Sequence, residues 1–434
     1  MADPQHRPPE YTGEISDAEK MRRLPWSYLH NAANSAYAVL TFFGPVFILF
    51  LDELGLAKTR IGFLLSLLPF CGLVAPFIAP AVARAGVKRV YLLCWGARKG
   101  VTAGLLLVPW VLRQQGEGAA FLLVATVVAL FALLRAVGET AWYPWVQELV
   151  PRAYRGQYTA INRIASLLAG SMCLFGASYA LDRIPGVHRF TALIGIGVLA
   201  GFLCVLFGLK MPGGAPDKPR RAGPSPPMLG VLRDTRFLIY MAYTALALLT
   251  VHSMLMAFVP LFMKEQVGLS ERQIILLQVG SSLSGLVSSY GWGFLADRHG
   301  SRPVLRISLA ALLVLPIGWS LIPRFHFWSF PVALALGVFA GVASSGWWIS
   351  DQRLLYVDLL EPEKRTQYMA MYYAWIGLVG GCGPLLAGVL LDTFSDLHGY
   401  VGFVAVHQYT PLFAASGLLL AAAAVLLSQL RLND

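Results

Sequence analysis

Stretches of about 20 apolar residues recur along almost the whole chain, separated by short polar loops. Each is long enough to cross a ~30 Å hydrocarbon core as a helix. A backbone in lipid must satisfy its own hydrogen bonds, which leaves helices and closed barrels. The alternating polar and apolar pattern of barrel strands does not occur, so the expected class is an all-α membrane protein. Composition agrees: 57% of the 434 residues are hydrophobic and 13% charged, against roughly a quarter charged in soluble proteins.

Twelve spans are expected, at 27–51, 60–83, 89–112, 118–145, 157–181, 190–211, 236–262, 272–296, 303–323, 328–352, 366–391 and 407–430. The longest polar gap between spans, Met211–Arg236, is rich in Pro, Gly and basic residues and reads as a linker. The expected organisation is a tail at 1–26, a six-helix bundle at 27–211, a linker at 212–235, a second bundle at 236–430, and a tail at 431–434. The first 26 residues hold no cleavable apolar core, so the first span reads as a retained helix.

The net charge of +11 would suggest a nucleic-acid partner in a soluble protein. Here Lys and Arg sort by membrane face. With the N-terminus inside, the cytoplasmic segments hold 20 of the 34 and the outer loops eight. Lys and Arg concentrate on the cytoplasmic side. Both termini are therefore expected in the cytoplasm of a multi-pass protein of the cell (inner or plasma) membrane. Its partners are the bilayer and a small solute, with no nucleic acid, and it reads as a monomer. The five cysteines lie in apolar runs without a CxxC pair and read as packing residues.

The halves repeat. "VQELVPRAYRGQY" from Val146 is echoed by "VDLLEPEKRTQY" from Val357. Glu148 matches Asp358, Arg155 matches Arg365, and Gln157-Tyr158 matches Gln367-Tyr368, each 210 residues apart. Leu181-Asp182 matches Leu391-Asp392 at the same interval, and "LGLAKTRI" matches "VGLSERQI". Six helices repeated in one orientation mark a parallel-repeat transporter.

The segment "GFLADRHGSRPVL", Gly293 to Leu305, resembles the loop signature of the major facilitator superfamily. Gly293, Leu295, Asp297, Arg298, Gly300, Arg302 and Leu305 fit it, and Ser301 departs. The resemblance covers essentially the whole chain and implies twelve helices in two pseudo-symmetric six-helix bundles. It implies that Asp297 docks at the start of the fifth helix, near Arg155-Gly156, and latches the outward-facing state. Asp358 is expected to pair with Arg298 or Arg302. In the first half, Gly86, Lys88 and Arg89 of "PAVARAGVKRVYLL" fit, but Arg84 stands in place of the acid and would turn to Glu361 or Glu363. The latch is therefore expected to be asymmetric. A weaker likeness, "LLRAVGETAW" at Leu133–Trp142, resembles an Arg-bearing fourth helix of proton-linked members.

Charges deep in the spans are candidates for function, since each costs ~3 kcal/mol or more at the bilayer centre. Arg135 and Glu139 are spaced to pair on one helix face. Arg98 lies at similar depth, and Lys99, about 100° round the helix, reads as the less buried of the two. His30, Asn34, Tyr37 and Thr41 share one face of the first helix. The resemblance places helices 1, 4, 7 and 10 around a central cavity. That adds Tyr243 and His252 on the seventh, and Trp347, Asp351 and Arg353 on the tenth, with Asp351 a proton site or half of an ion pair with Arg353. Trp142, Tyr372 and Trp375 are ring candidates for stacking on a solute. Three cations against one acid near the third and fourth helices favour a carboxylate or phosphate.

The expected function is secondary active transport by alternating access, driven by a proton or cation gradient, with Glu139 and Asp351 as proton sites. An exporter of amphipathic compounds or lysolipids, or a non-transporting membrane sensor, remain alternatives. No phosphate loop, zinc spacing or nucleophile elbow stands out, so no cofactor, metal site or enzyme chemistry is expected.

Overall fold

The computed structural model describes residues 16–151, 154–181, 183, 186–214, 233–359, 365–401 and 404–430. Ten described segments are long and apolar enough to cross a membrane. One of them, Val87–Leu149, has 63 residues, about twice what a crossing needs. It leaves helical geometry at Gly116 (φ 81°, ψ −177°), and Trp95 near its start packs on Gly138 near its end. It is therefore two antiparallel crossings. A further crossing is split at Leu73-Val74 into Lys58–Gly72 and Ala75–Ala85. Counted so, the described residues hold twelve segments that could cross a membrane, the number expected.

They are α1 (Asp17–Glu53), α2 (58–85), α3 (87–115) and α4 (117–149), α5 (Arg155–Leu181) and α6 (His188–Leu209). The second half holds α7 (Thr235–Val267), α8 (Glu271–His299), α9 (Ser301–Ser320), α10 (Ser329–Leu359), α11 (Arg365–Thr393) and α12 (Thr410–Gln429).

Local chemistry sets the helix ends. Ser16 caps α1 through Glu19 N–H, and Asp234 caps α7. Ser270 and Gln273 form a reciprocal capping box at α8. α1 starts ten residues before its expected span because Asp17, Glu19, Lys20 and Arg23 form helical ion pairs beyond the apolar stretch. One feature was not expected: an antiparallel hairpin, β1 (His398–Val401) with β2 (Val404–His407), precedes α12.

Helices meet through small residues, as membrane helices do. Along the boundary between halves α2 packs on α11, with Gly62 against Pro384, Gly381 against Phe70 and Gly388 against Lys58. α5 packs on α8, and the end of α1 on α7. One large apolar core runs through both halves, while a second, built on Tyr91, Trp95 and Trp145, belongs to the first half alone. The face carrying the α4–α5 and α8–α9 loops is called here the linker face, and the opposite one the far face.

Candidate functional site

Charged groups deep in the spans gather in two places, one per half. In the first half, Arg98 and Lys99 on α3 are 3% and 0% exposed. Arg98 Nη2 donates to Asn34 Oδ1 at 2.6 Å, and Lys99 Nζ to the same oxygen at 3.2 Å. Rings supply the rest of the shell. The Arg98 guanidinium lies 3.4 Å from the Trp95 ring centre, and the Lys99 ammonium 3.2 Å from that of Tyr37. Such contacts recover about 2 kcal/mol when desolvated. The acid on α4, Glu139, is held by Arg135 (Nε to Oε1, 2.7 Å). Among the described residues no carboxylate pairs with Arg98 or Lys99, and Arg98 Nε and Trp95 Nε1 are buried without a hydrogen-bond acceptor. The site can accept an anion.

The expected polar face of α1 is present, but it turns toward α3 and α6. His30 engages Cys204 O through Nδ1 (2.8 Å) and the Tyr91 hydroxyl through Nε2 (2.7 Å), and it stacks on Trp142. Tyr37 bonds Thr102 at 2.6 Å. The His30 contacts are packing contacts, and Asn34 and the Tyr37 ring are the members of the face that reach the cations. Lys99, expected to be the less buried cation, is fully buried. Its stem passes Gly201 of α6, where a Cβ would stand 2.8 Å from Lys99 Cδ.

In the second half Asp351 is 0% exposed. It accepts hydrogen bonds from Tyr240 (3.0 Å), Tyr372 (3.4 Å) and Thr244 (3.5 Å). Among the described residues no cation pairs with it; the ion pair expected with Arg353 is not formed. Residues i and i+2 of a helix do not face each other, and Arg353 turns instead to the linker face. Trp347 Nε1 donates to Tyr243 (2.8 Å), and Trp375 Nε1 to Met241 O (3.0 Å). A carboxyl caged by hydroxyls can take up or release a proton without breaking an ion pair. The side chain of His252 lies outside the described residues, in a widened π-helical turn of α7.

At the linker face, Arg353 pairs with Asp297 (3.1 Å) and Asp358 (3.3 Å) and donates to Ser301 (2.9 Å). The cation that reaches Asp358 is thus Arg353, not the expected Arg298 or Arg302. Asp297 is 80% exposed, and its ion-pair partner belongs to its own half. The expected dock at the start of α5 is not made in this conformation. Arg155 there donates to Gln147 O (2.8 Å) and caps α4. The Arg365 side chain, Glu361 and Glu363 lie outside the described residues.

The two loops also correct a register. Gly86 (φ 91°) and Gly300 (φ 83°) occupy the same place, immediately before α3 and α9. Aligned on them, Arg84 stands opposite Arg298, and Ala83 stands opposite Asp297.

The far face is tied shut between halves. Lys58 bonds Asp52 (2.9 Å) and Glu265. Lys264 pairs with Asp52 (2.9 Å), and Arg189 joins Glu53 (3.1 Å) to Glu271 (2.8 Å). Asp392, at the end of α11, accepts the Lys58 and Thr59 backbone N–H groups (3.1 and 2.7 Å) and so caps α2 of the other half.

A family model described as Major Facilitator Superfamily matches residues 31–348 and 241–433. The chain belongs to the major facilitator superfamily. It is a multi-pass membrane protein of a transporter family rather than an enzyme family. Autophagy-related protein 22-2 of Aspergillus niger is 25% identical over 166 residues, 35% of this chain and 27% of that one. The chain thus spans about a quarter of the length of the curated relatives it matches. Among solved structures, a variant of the nucleoside transporter NupG superposes with TM-score 0.69 at 16% identity, over 95% of this chain and 99% of that one. A bacterial homologue of the iron transporter ferroportin superposes in its inward-facing state with TM-score 0.68 (14% identity, 96% and 99% covered) and in its outward-facing state with 0.58 (15%, 95% and 98%). These likenesses are of fold.

Within this superfamily fold, sequence reasoning missed Tyr240, the nearest donor to Asp351, although it shares a face with Tyr243 and Thr244. It missed the far-face network too, except for the Leu391-Asp392 echo. No group of three or more metal-ligating side chains occurs among the described residues.

Proposed function

We propose that this chain is a secondary active transporter that moves a small anionic solute by alternating access, coupled to protons. The observation that carries the reading is the pair Arg98 and Lys99, deep in the first half and without a carboxylate among the described residues. Two charges there cost several kcal/mol. An amide oxygen and two rings offset only part of that, and a bound carboxylate or phosphate would complete the shell. Asn34 and the half-exposed Arg135–Glu139 pair lie at the rim of this cluster and give the solute its first contacts.

Asp351 is the leading proton site in this reading, because among the described residues no cation competes with its proton. Glu139 is second, since Arg135 already neutralises it. The 20-to-eight loop asymmetry supports a cytoplasmic linker face. The closed far face and undocked Asp297 support an inward-open conformation, and the two ferroportin-homologue TM-scores run the same way. In this reading the chain works as a monomer in the cell membrane.

The test uses the chain in proteoliposomes with a trapped pH dye. The panel is monocarboxylates, dicarboxylates and phosphate monoesters, with xylose and uridine as uncharged controls. One acidic class should drive proton movement and the controls should not. Lys99→Met should cut that flux at least tenfold. Proton movement driven by the uncharged solutes, or flux indifferent to Lys99→Met, contradicts the anionic reading. Absence of concentrative flux across the panel would favour a sensor on this fold.

A further inference from the structure

The corners at Glu148 and Asp358 repeat at 210 residues but are built from different parts. In the second half, Arg353 binds Asp358 at the end of α10 and Asp297 in the last turn of α8. The corresponding places in the first half hold Tyr143, Glu148 and Ala83. Neither Tyr143 nor Ala83 supplies a charge, so the places that match Arg353 and Asp297 give Glu148 neither a cation nor a second acid.

Glu148 holds something else. Its Oε2 accepts the backbone N–H of Gly214 at 2.8 Å. Gly214 ends Met211–Gly214, the segment by which the chain leaves α6. Three further hydrogen bonds and one buried side chain hold that segment. Lys88 N–H donates to Gly214 O (3.3 Å), and Lys88 Nζ donates to Met211 O (2.5 Å). Trp145 Nε1 donates to Pro212 O (2.9 Å), and Met211 is fully buried. The path needs glycine twice. Gly213 and Gly214 have φ of 85° and 77°, where side chains are strained. A Cβ on Gly214 would lie 2.5 Å from Lys88 Cβ, and one on Gly213 2.8 Å from Glu148 Oε1.

We propose that Met211–Gly214 is a strap, that Lys88, Trp145 and Glu148 form its dock, and that Glu148 anchors the linker instead of serving the latch. The strap ties α6 to the ends of α3 and α4, as Arg353 ties α10 to the last turn of α8. It also sets where the chain continues into the linker, over the ends of α3 and α4. With Glu148 engaged, switching at the linker face is left to the second-half cluster.

Hydrogen exchange on the full-length protein in detergent tests this. The amide of Gly214, which donates to Glu148, should exchange slowly in the native chain and at least tenfold faster in Glu148→Ala and Gly214→Ala. Glu148→Gln should stay protected, because its amide oxygen accepts the same N–H. Trp145→Phe removes one donor and keeps the ring. It should give a smaller change in the same direction and serves if Glu148→Ala does not fold. Spin labels on α5 and α8 at the linker face should report a balance between open and closed states that moves at least fivefold more in Asp358→Ala than in Glu148→Ala. Two results overturn the proposal. One is an unprotected Gly214 amide in the native chain. The other is a Glu148→Ala balance shift as large as that of Asp358→Ala while the strap stays protected. The exchange result does not depend on which solute or ion is carried.

Discussion

Among the described residues Lys99 carries no carboxylate partner, so removing its charge orphans no acid there. Replacing a buried charge by an apolar group of similar size is often neutral or stabilising. We therefore expect Lys99→Met to leave the thermal midpoint unchanged or raised while weakening solute binding at least tenfold, or about 1.4 kcal/mol. A fall of many degrees would mark Lys99 as a structural post. Its presence in a span was legible in the sequence, but its burial was not, because that depends on Gly201 of another helix leaving room for the stem. His407 makes a pH prediction. It is buried against Phe262 and Phe413, its Nδ1 accepting Tyr409 N–H. Burial, aided by the charges of Arg324 and His398, lowers its pKa from 6.5 to about 4. The folded chain keeps it neutral, so its contribution to stability is full above pH 6.5 and is lost as pH falls toward 4. Thermal melts of His407→Gln across that window should show a flatter pH dependence than the native chain, and an unchanged slope would contradict this.

Helix existence followed from apolar length, and helix pairing only partly so. The Leu-Asp echo flagged Asp392, but its contact with α2 joins residues more than 330 apart, beyond any local pattern. There the carboxylate meets two free N–H groups and the positive end of the α2 dipole. Removing such a cap costs about 1 kcal/mol, roughly a fivefold change in an equilibrium constant. We expect Asp392→Ala to shift the chain toward an open far face by about that factor, read as labelling of a far-face cysteine. No shift would mean that the ion network alone holds the face. The hairpin β1–β2 was not legible, because four-residue strands are too short to show a period. The latch register was misread by one position in the first half, and only the matching backbone of Gly86 and Gly300 fixes it.

Among the described residues, the molecule divides its deep charges that lack an ion-pair partner between its halves: the cations Arg98 and Lys99 in one, the acid Asp351 in the other. Sequence repeats and the loop signature fixed the halves and their common orientation. They could not place Asp351 in a hydroxyl cage or Arg98 and Lys99 on a shared amide, since both depend on contacts between helices far apart in the chain. The division suggests that solute and proton are handled by different halves and meet only through the rocking of one on the other. That is the central claim, and Asp351→Asn in proteoliposomes with a trapped pH dye tests it directly. The account predicts that the variant still exchanges its acidic solute across the membrane while the solute gradient no longer moves protons. Proton movement at the native rate in Asp351→Asn would contradict it.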